Sequence, residues 1–489
     1  MYLRRYLLCA LAALALCACA TSADRVVGRA EMERDARRVE RVLRRGHPAV
    51  GRTVAATDLT ATLERIVAEL PDSATVLEFA RRVHPLVDTL RGGHVGLYPR
   101  GAALRALGAG TDGTFPLAPK RLTDGRVIVA GVAPGLDSAL VGEEIVAIDG
   151  APVEDLVAEA GLFGGGSDGP NTTGVDERAA RRLPTYLAWR DGARDSFHVE
   201  LRSGAPASES RGGDRADTSY ALTLASFRRD DHPEAAARQK ARRKSWRPLG
   251  YGFDSLRRVA VIDVNSFDGY DPLNLRWPVA LRRLFARARR DGAEGLVLDL
   301  RGNGGGRSAN VATLLRQVVT EPTQIYEPWL LPRGGWAVAS PVNKASLAPS
   351  AVLGRGPTAR FGRWMRHRVQ PRPGGFAGPI AVLVDGGTFS AAAAVAAVLK
   401  SSGRATVIGQ EAGGNYHETY AGLFTTVPLR ATGLQLRLPH LLIPVAVDAT
   451  RQPTDLTLQP DIAWPVTREA VLAGRDEVLL RALLLVGGT

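Results

Sequence analysis

The spacing of apolar residues divides the chain into three regions that predict different secondary structure. Residues 26–98 carry apolar side chains three and four positions apart with charges between them, which predicts helices, and Asp58 and Asp72–Ser73 supply helix starts. Residues 105–228 contain short β runs such as RVIVAGV and FHVELR, separated by Gly, Pro and Asp. Residues 248–470 alternate apolar strands with helical segments, which predicts parallel strands joined by crossover helices.

Four further segments differ in composition from these regions. Residues 203–218 are polar and predict a surface loop within the β region, and residues 229–247 are charged and predict a solvated linker. Residues 320–378 are rich in Pro, Gly, Arg and Trp, and so long a stretch favours a lid or a substrate-binding insertion. Residues 471–489 predict a C-terminal helix. The pattern as a whole predicts a multidomain α/β protein with a helical N-terminal region, a mainly β module and an α/β core.

The strong positive charge of the chain changes little in this picture. Lys and Arg number 63 against 50 Asp and Glu, and the net charge of +13 would suit a nucleic-acid or anionic-membrane partner. Only five of the basic residues are lysines, however, and the arginines are scattered along an Ala-rich chain. We attribute this charge to coding bias and predict no nucleic-acid partner.

The N-terminus has the pattern of an export signal. Basic residues precede the short apolar run YLLCALAALALCACA, so residues 1–18 predict a signal peptide. The segment Leu16–Cys19 resembles a bacterial lipobox, which predicts lipidation of Cys19 and a membrane-anchored protein in the cell envelope that faces the periplasm. Cleavage before Cys17 and ordinary secretion are the alternatives. All three cysteines lie in the first nineteen residues, so the body of the chain has no thiol for catalysis or disulfides.

Two strand-turn-helix junctions in the α/β region carry the candidate chemistry. In GLVLDLRGNGGGRSANVATLL, Gly302, Gly304, Gly305 and Gly306 surround an Asn after a buried strand. Such glycines can present backbone N–H groups to an anion, but neither phosphate-binding motif is present in the right frame. In PIAVLVDGGTFSAAAAVAAVL, Ser390 lies at the first turn of a helix, where it could simply be an N-cap.

The two junctions together resemble a known family. LVLDLRGNGG, VDGGTFSAA, VIGQEAGGN and LQPDI occur in the order found in the tail-specific or C-terminal processing serine peptidases of family S41. The resemblance implies a crotonase-like ββα core, with Ser390 as nucleophile and the amides of Ala391 and Gly305, next to Gly306, as the oxyanion hole. The segment VAPGLDSALVGEEIVAIDGAPVEDL resembles a PDZ domain, which makes the β region a PDZ-like module.

The general base is the open question. The best-known branch of the family uses a lysine that would stand where this chain has Asn415, and Lys400 is about 15 Å from the serine along one helix. The tricorn-like branch takes a histidine and a glutamate instead. Its counterparts here are His94 in LRGGHVGLY and Glu411 in GQEAGG, with His417 as an alternative base.

These observations lead to one expected function with two rivals. The expectation is an exported, lipid-anchored serine endopeptidase that acts on a peptide or protein, with Ser390, His94 and Glu411 as its triad. No metal or other cofactor is predicted, because the histidines are dispersed and no HExxH motif or Cys cluster occurs. The rivals are a non-catalytic peptide-binding protein of the envelope on the same scaffold, and an esterase or amidase of cell-envelope substrates.

Overall fold

The computed structural model describes most of the chain. The described residues are 23–99, 113–169, 173–203, 218–227, 248–269, 271, 273–330, 368–453 and 457–487. The signal peptide with Cys19, the loop between 203 and 218, the linker and much of the 320–378 insertion lie outside them, so those predictions stay predictions. Within the described ranges, no helix is both long enough and apolar enough to cross a membrane.

The N-terminal region is helical, as its apolar spacing predicts. Its helices are α1 (Arg29–Gly46), α2 (Ala56–Ala68) and α3 (Val76–Asp88), and a short antiparallel ladder joins β1 (Val26–Gly28) to β2 (Ser73–Thr75). The predicted helix start at Asp72–Ser73 is wrong, because this segment enters strand β2. Thr75 is instead the N-cap of α3: its hydroxyl accepts a hydrogen bond from the amide of Glu78 at 3.1 Å, and the carboxylate of Glu78 accepts one from the amide of Thr75.

The middle region is an antiparallel sheet with two helices. Strands run in the order β4–β5–β6–β8–β9, with β7 paired to β6. Helices α4 and α5 connect β7 to β8, and a 3₁₀ turn precedes β6. The bounds of these elements are β4 Leu117–Arg121, β5 Val127–Val132, β6 Glu144–Ile148, β7 Ala151–Pro152, α4 Val153–Gly161, α5 Thr173–Asp191, β8 Ser196–Ser203 and β9 Thr218–Ala225.

The α/β core is built on a six-stranded sheet in the order β10–β11–β12–β13–β14–β17. Strands β10 and β11 form an antiparallel hairpin, and the remaining neighbours are parallel, as the strand-helix alternation predicts. Helices α6, α7 and α8 pack in one apolar cluster on the sheet, and the C-terminal helix α10 packs in another. The bounds are β10 Leu249–Asp254, β11 Val259–Val264, α6 Arg276–Arg290, β12 Gly295–Asp299, α7 Ser308–Val318, β13 Ile380–Val384, α8 Ala391–Ser401, β14 Thr406–Gly409, β17 Ile462–Ala463, α9 Arg468–Leu472 and α10 Glu477–Val486. The predicted mixed α/β class is confirmed.

A third sheet joins the N-terminal region to the core. Strands β15 (Glu418–Pro428) and β16 (Leu434–Pro444) form a long hairpin, and β3 (Gly96–Pro99) pairs antiparallel with β16. The buried carboxylate of Asp35 on α1 accepts hydrogen bonds from the amides of Ala431 and Thr432 at the hairpin turn, at 3.1 and 2.8 Å. These contacts hold the residues just before β3 against the core.

Candidate active site

Ser390 has an unusual backbone conformation. It connects β13 to α8 with φ 54° and ψ −120°, a region that costs an ordinary residue of order 1–3 kcal/mol. Its side chain makes no capping hydrogen bond to the helix, so the position of the residue resembles an N-cap but its hydroxyl does not act as one. A serine held on a strained strand-to-helix turn with a free hydroxyl is the arrangement of a nucleophile elbow.

The glycine-rich loop packs directly against this serine. A Cβ added to Gly305 would lie 2.9 Å from Cβ of Ser390 and 3.0 Å from the amide nitrogen of Ala391, and the φ of Gly305 is 102°. Only glycine therefore fits there. The amide of Gly305 donates a hydrogen bond to Oδ1 of Asn303 at 2.8 Å. In the described part of the chain, the amides of Ala391 and Gly306 donate to no protein acceptor, so they are the available pair.

Ser390 and His94 line one cavity of about 490 Å³. The cavity floor contains Gly304, Gly306 and Ala391, and Tyr326 and Trp329 from the start of the 320–378 insertion contribute to its wall. The described end of that insertion is paired with the core, since Leu330 forms a bridge with Leu442 on β16. The described start of the insertion therefore lies at the cavity, while its expected role as a lid or a substrate-binding insertion stays a prediction.

The imidazole of His94 is enclosed by aromatic rings. It lies between Phe389 and Phe424, with ring centroids 4.5 and 5.5 Å away, and its Nδ1 is buried without a hydrogen-bond partner. Burial lowers the pKa of His94 to about 3, with smaller contributions from the guanidinium groups of Arg437 and Arg178. The ring is therefore neutral at physiological pH and able to accept a proton, but its surroundings disfavour the imidazolium.

Glu411 does not contact His94. Its carboxylate accepts hydrogen bonds from the hydroxyls of Thr173, at 3.4 Å, and Thr457, and from the side-chain amide of Gln459. Three neighbouring side chains thus hold the carboxylate of Glu411 in place. The structure brings Ser390 and His94 into one cavity but leaves the third predicted member of the triad outside it.

The two other candidate bases lie elsewhere. His417 lines a separate cavity of about 830 Å³, where its Nε2 is 2.9 Å from the carbonyl oxygen of Gln452. Lys400 points away from the serine, because its ammonium group donates to the carbonyl of Gln459 at 2.7 Å and pairs with Asp461 at 3.1 Å. Neither residue lines the cavity of Ser390.

A buried carboxylate that the sequence analysis missed supports the His94 turn. Asp168 is 2% exposed, and its two oxygens accept hydrogen bonds from the amide of Gly93 and the hydroxyl of Thr419, both at 2.8 Å. Burial raises the pKa of Asp168 to about 6. In the sequence, Asp168 stands in the glycine-rich stretch GLFGGGSDG, whose composition is typical of an ordinary turn.

Comparison with known proteins identifies the core. Residues 258–419 match the family model of Peptidase family S41. The chain contains a peptidase domain of family S41. Its enzyme class is therefore that of a serine-type peptidase, and the predicted family and class are confirmed. No curated protein sequence matches the chain.

Solved structures agree with the S41 domain in fold. Mature CPAF complexed with lactacystin aligns with a TM-score of 0.62 at 15% identity, over 94% of this chain and 98% of its own. Mature CPAF without that compound aligns with a TM-score of 0.60 at 16% identity, over 94% and 99%. At such identities the likeness concerns the fold, and it extends across all three regions of the chain.

Proposed function

We propose that this S41 protein is a serine endopeptidase in which Ser390 is the nucleophile and His94 is the general base. One observation carries the proposal: a strained serine whose hydroxyl makes no capping hydrogen bond shares a cavity with a neutral, partly buried histidine. A serine hydroxyl is a weak nucleophile until a base removes its proton, and a neutral imidazole can accept that proton. The substrate is a peptide or protein, as the family implies.

The reaction follows the acyl-transfer scheme for a serine nucleophile. Oγ of Ser390 attacks the scissile carbonyl carbon while His94 takes the proton, and the tetrahedral intermediate places negative charge on the carbonyl oxygen. The amides of Ala391 and Gly306 are the donors available for that oxygen, at the N-terminus of α8 and in the glycine-rich loop. Gly305, whose own amide is bound by Asn303, allows the loop to approach the serine. His94 then protonates the leaving amine.

In this proposal, the carboxylate of Glu411 orients the imidazole of His94. The free Nδ1 of His94 is the atom that such a carboxylate would bind, and a bound carboxylate would stabilise the imidazolium. In the described conformation Glu411 is held by Thr457 and Gln459. The proposal therefore requires a local rearrangement that brings the Glu411 loop and the His94 turn together when substrate binds.

Export and anchoring complete the proposal. The signal-peptide pattern of residues 1–18 and the lipobox-like segment before Cys19 support an envelope lipoprotein that faces the periplasm. Two acyl chains on one cysteine are enough for stable membrane binding. Cys19→Ser should release the protein from the membrane fraction, and a wild-type protein that carries no lipid mass would contradict the anchor.

The decisive experiment is active-site labelling together with peptide hydrolysis. The protein without residues 1–19 should react covalently with a fluorophosphonate and cleave casein, and Ser390→Ala should lose both activities by several orders of magnitude. Ser402→Ala, at the opposite end of α8, is the matched control and should behave as wild type. Labelling of Ser390→Ala at the wild-type rate, or hydrolysis that survives this change, would contradict the proposal.

A further inference from the structure

Three arginine side chains line the cavity of Ser390. Arg178 and Arg182 come from α5 and Arg437 comes from β16. Among the described residues that line the cavity, none is an Asp or Glu. None of the three guanidinium groups lies within 4 Å of a carboxylate oxygen in the described part of the chain. The cavity therefore concentrates positive charge beside the nucleophile.

The positions of these guanidinium groups are fixed by uncharged partners. Arg182 donates to the carbonyl oxygen of Phe163 at 2.9 Å, and Arg178 donates to the carbonyl oxygen of Gly166. Arg437 stacks on Phe424 at 3.9 Å from the ring centroid, and Arg178 stacks on Phe389 at 4.4 Å. Stacking uses the face of a guanidinium and leaves the N–H groups at its edge free to donate. Nε of Arg178 is buried and has no partner.

The nearest carboxylates, Asp168 and Glu177, offset part of the charge on Arg178 but form no ion pair with it. Asp168 binds the amide of Gly93 and the hydroxyl of Thr419. Glu177 accepts from the amide of Gly387 at 3.1 Å and pairs with Arg181 at 2.6 Å. Burial and the proximity of Arg182 lower the pKa of Arg178 to about 10. Positive charges that repel each other in a partly closed cavity form a site that an anion would stabilise.

We infer that the cavity contains a subsite, formed by Arg178, Arg182 and Arg437, for a carboxylate group of the substrate peptide. The inference rests on the proposed function, in which this cavity binds the peptide next to its scissile bond. The carboxylate is the side chain of an Asp or Glu close to the cleaved bond, because an endopeptidase cleaves within a chain and away from its C-terminal carboxylate. A guanidinium fork matches the geometry of a carboxylate and can donate two parallel hydrogen bonds to it.

A bound carboxylate would also act on the general base. His94 is faced by Arg178 from α5, by Arg437 from β16 and by His47 from the end of α1. At physiological pH His47 is neutral, so the two guanidinium groups are the charges that disfavour the imidazolium of His94. A substrate carboxylate that pairs with Arg178 and Arg437 offsets both charges. His94 becomes more basic in that complex than in the free enzyme or in a complex with a neutral peptide. The subsite thus couples recognition of the substrate to activation of the base.

Matched peptides test the subsite. One pair differs only by Glu or Gln close to the cleaved bond, and a second pair differs only by a free or an amidated C-terminus. We expect wild-type kcat/KM to be about tenfold higher for the Glu peptide than for the Gln peptide, which corresponds to about 1.4 kcal/mol. Equal kcat/KM within the Glu and Gln pair, or a preference for the free C-terminus alone, would overturn the inference.

Variants locate the preference in the cavity. Arg437→Gln and Arg182→Gln should each remove most of the tenfold ratio between kcat/KM for the acidic peptide and kcat/KM for its neutral partner, and Arg437→Lys should restore part of that ratio. Arg283→Gln, which replaces an exposed arginine on α6, is the control and should keep the full preference. A preference that survives both cavity variants, or that Arg283→Gln also removes, contradicts the assignment.

A binding measurement keeps this test independent of turnover. In the Ser390→Ala protein, the acidic peptide should bind about tenfold more tightly than its neutral partner, as measured by calorimetry. If wild-type protein neither labels nor cleaves but this difference in Kd is present, the proposed function fails and the carboxylate subsite stands. If the protein cleaves neutral and acidic peptides equally and binds them equally, the function stands and the subsite is refuted.

Discussion

At the scale of single residues, Ser390 illustrates a conflict between function and stability. Its φ of 54° is sterically unfavourable for any residue with a Cβ, whereas glycine adopts it freely. Ser390→Gly should therefore abolish hydrolysis and raise the free energy of unfolding by about 1 kcal/mol, while Ser390→Ala should abolish hydrolysis with little change in stability. Urea denaturation of the three proteins measures this, and a less stable glycine variant would show that the conformation carries no strain.

Asp168 offers a second residue-scale prediction, for a residue that positions His94 through the backbone of Gly93. Asp168→Ala leaves the buried amide of Gly93 without an acceptor, which costs about 1–3 kcal/mol of stability, and frees the turn that carries His94. We expect kcat to fall about tenfold or more with little change in KM. Asp168→Asn keeps an oxygen for Gly93 and an amide for the hydroxyl of Thr419, so it should restore most of the rate.

If alanine and asparagine at position 168 reduce kcat equally, the carboxylate does more than hold this turn. If alanine lowers stability but leaves kcat and the rate of fluorophosphonate labelling unchanged, Asp168 is a structural residue only.

The sequence analysis found residues that stand in a short sequence motif and missed residues that stand in none. Ser390 stands in a continuous motif, so its position could be predicted from the junction that contains it. His94 stands in a partial motif, and its approach to the serine depends on strand pairing far away along the chain. Arg178 and Arg437 belong to a helix and a strand with no motif of their own, and only the assembled cavity brings them together. No local pattern could have indicated them.

At the scale of secondary structure elements, strand β3 determines where His94 lies. Gly96, at its start, pairs with Arg437 on β16 and faces the backbone of Gly164 on its other side. A Cβ added to Gly96 would lie 2.3 Å from the carbonyl oxygen of Gly164, which backbone atoms cannot accommodate without moving. The strand is therefore confined between two backbone segments, and His94 is only two residues before it.

Gly96→Ala should displace β3 and reduce kcat/KM at least about a hundredfold, because a misplacement of about 1 Å at a catalytic group has effects of this size. The control is Gly28→Ala, since Gly28 has φ −79° and a Cβ there would come no closer than 3.9 Å to another group. Hydrolysis by both variants and fluorophosphonate labelling report the effect. Wild-type activity in a folded Gly96→Ala protein would mean that β3 does not position the base.

The type of many elements could be predicted from the local sequence, but the pairing of strand β3 could not. The apolar spacing predicts the helices of residues 26–98 and the alternation of strands and helices after residue 248, because both patterns reflect burial on one face. The pairing of β3 with the β15–β16 hairpin could not be predicted, since four residues carry too little periodicity to specify a partner. This pairing nevertheless lies next to His94, the histidine that lines the cavity of Ser390, whereas His417 lines another cavity.

At the scale of the whole molecule, buried histidines link stability to pH. Burial lowers the pKa of His47 and His94 to about 3 and that of His440 to about 4. Below the ordinary histidine pKa of about 6.5, the unfolded chain binds protons that the folded chain does not bind. Each histidine therefore makes its full contribution to the free energy of unfolding above about pH 6.5. This contribution is lost progressively as the pH falls towards 4, by up to about 1.4 kcal/mol per pH unit.

The carboxyl group of Asp168 has the opposite effect on stability over part of this pH range. Its pKa is raised to about 6, so the folded protein takes up this proton before the unfolded chain does, and stability gains from it as the pH falls towards the ordinary carboxyl value of about 4. One carboxyl group offsets one of the three histidines. The net effect is still a loss of stability in mild acid.

The free energy of unfolding in urea should accordingly fall by about 2–4 kcal/mol between pH 7 and pH 5. His440→Gln removes one of the three imidazoles whose pKa is lowered to about 3 or 4. Because Asp168 already offsets about one of the three, this change should reduce the net fall by about half. His198→Gln, which changes an exposed residue on β8, should leave the fall unchanged. Hydrolysis should respond differently, because the proposed base His94 acts in its neutral form and burial lowers its pKa to about 3. The profile of kcat/KM for a neutral peptide should therefore show no acid limb between pH 7 and pH 5, provided the protein remains folded. A limb near pH 6.5 in that profile would mean that His94 has a more exposed environment in solution than the one described.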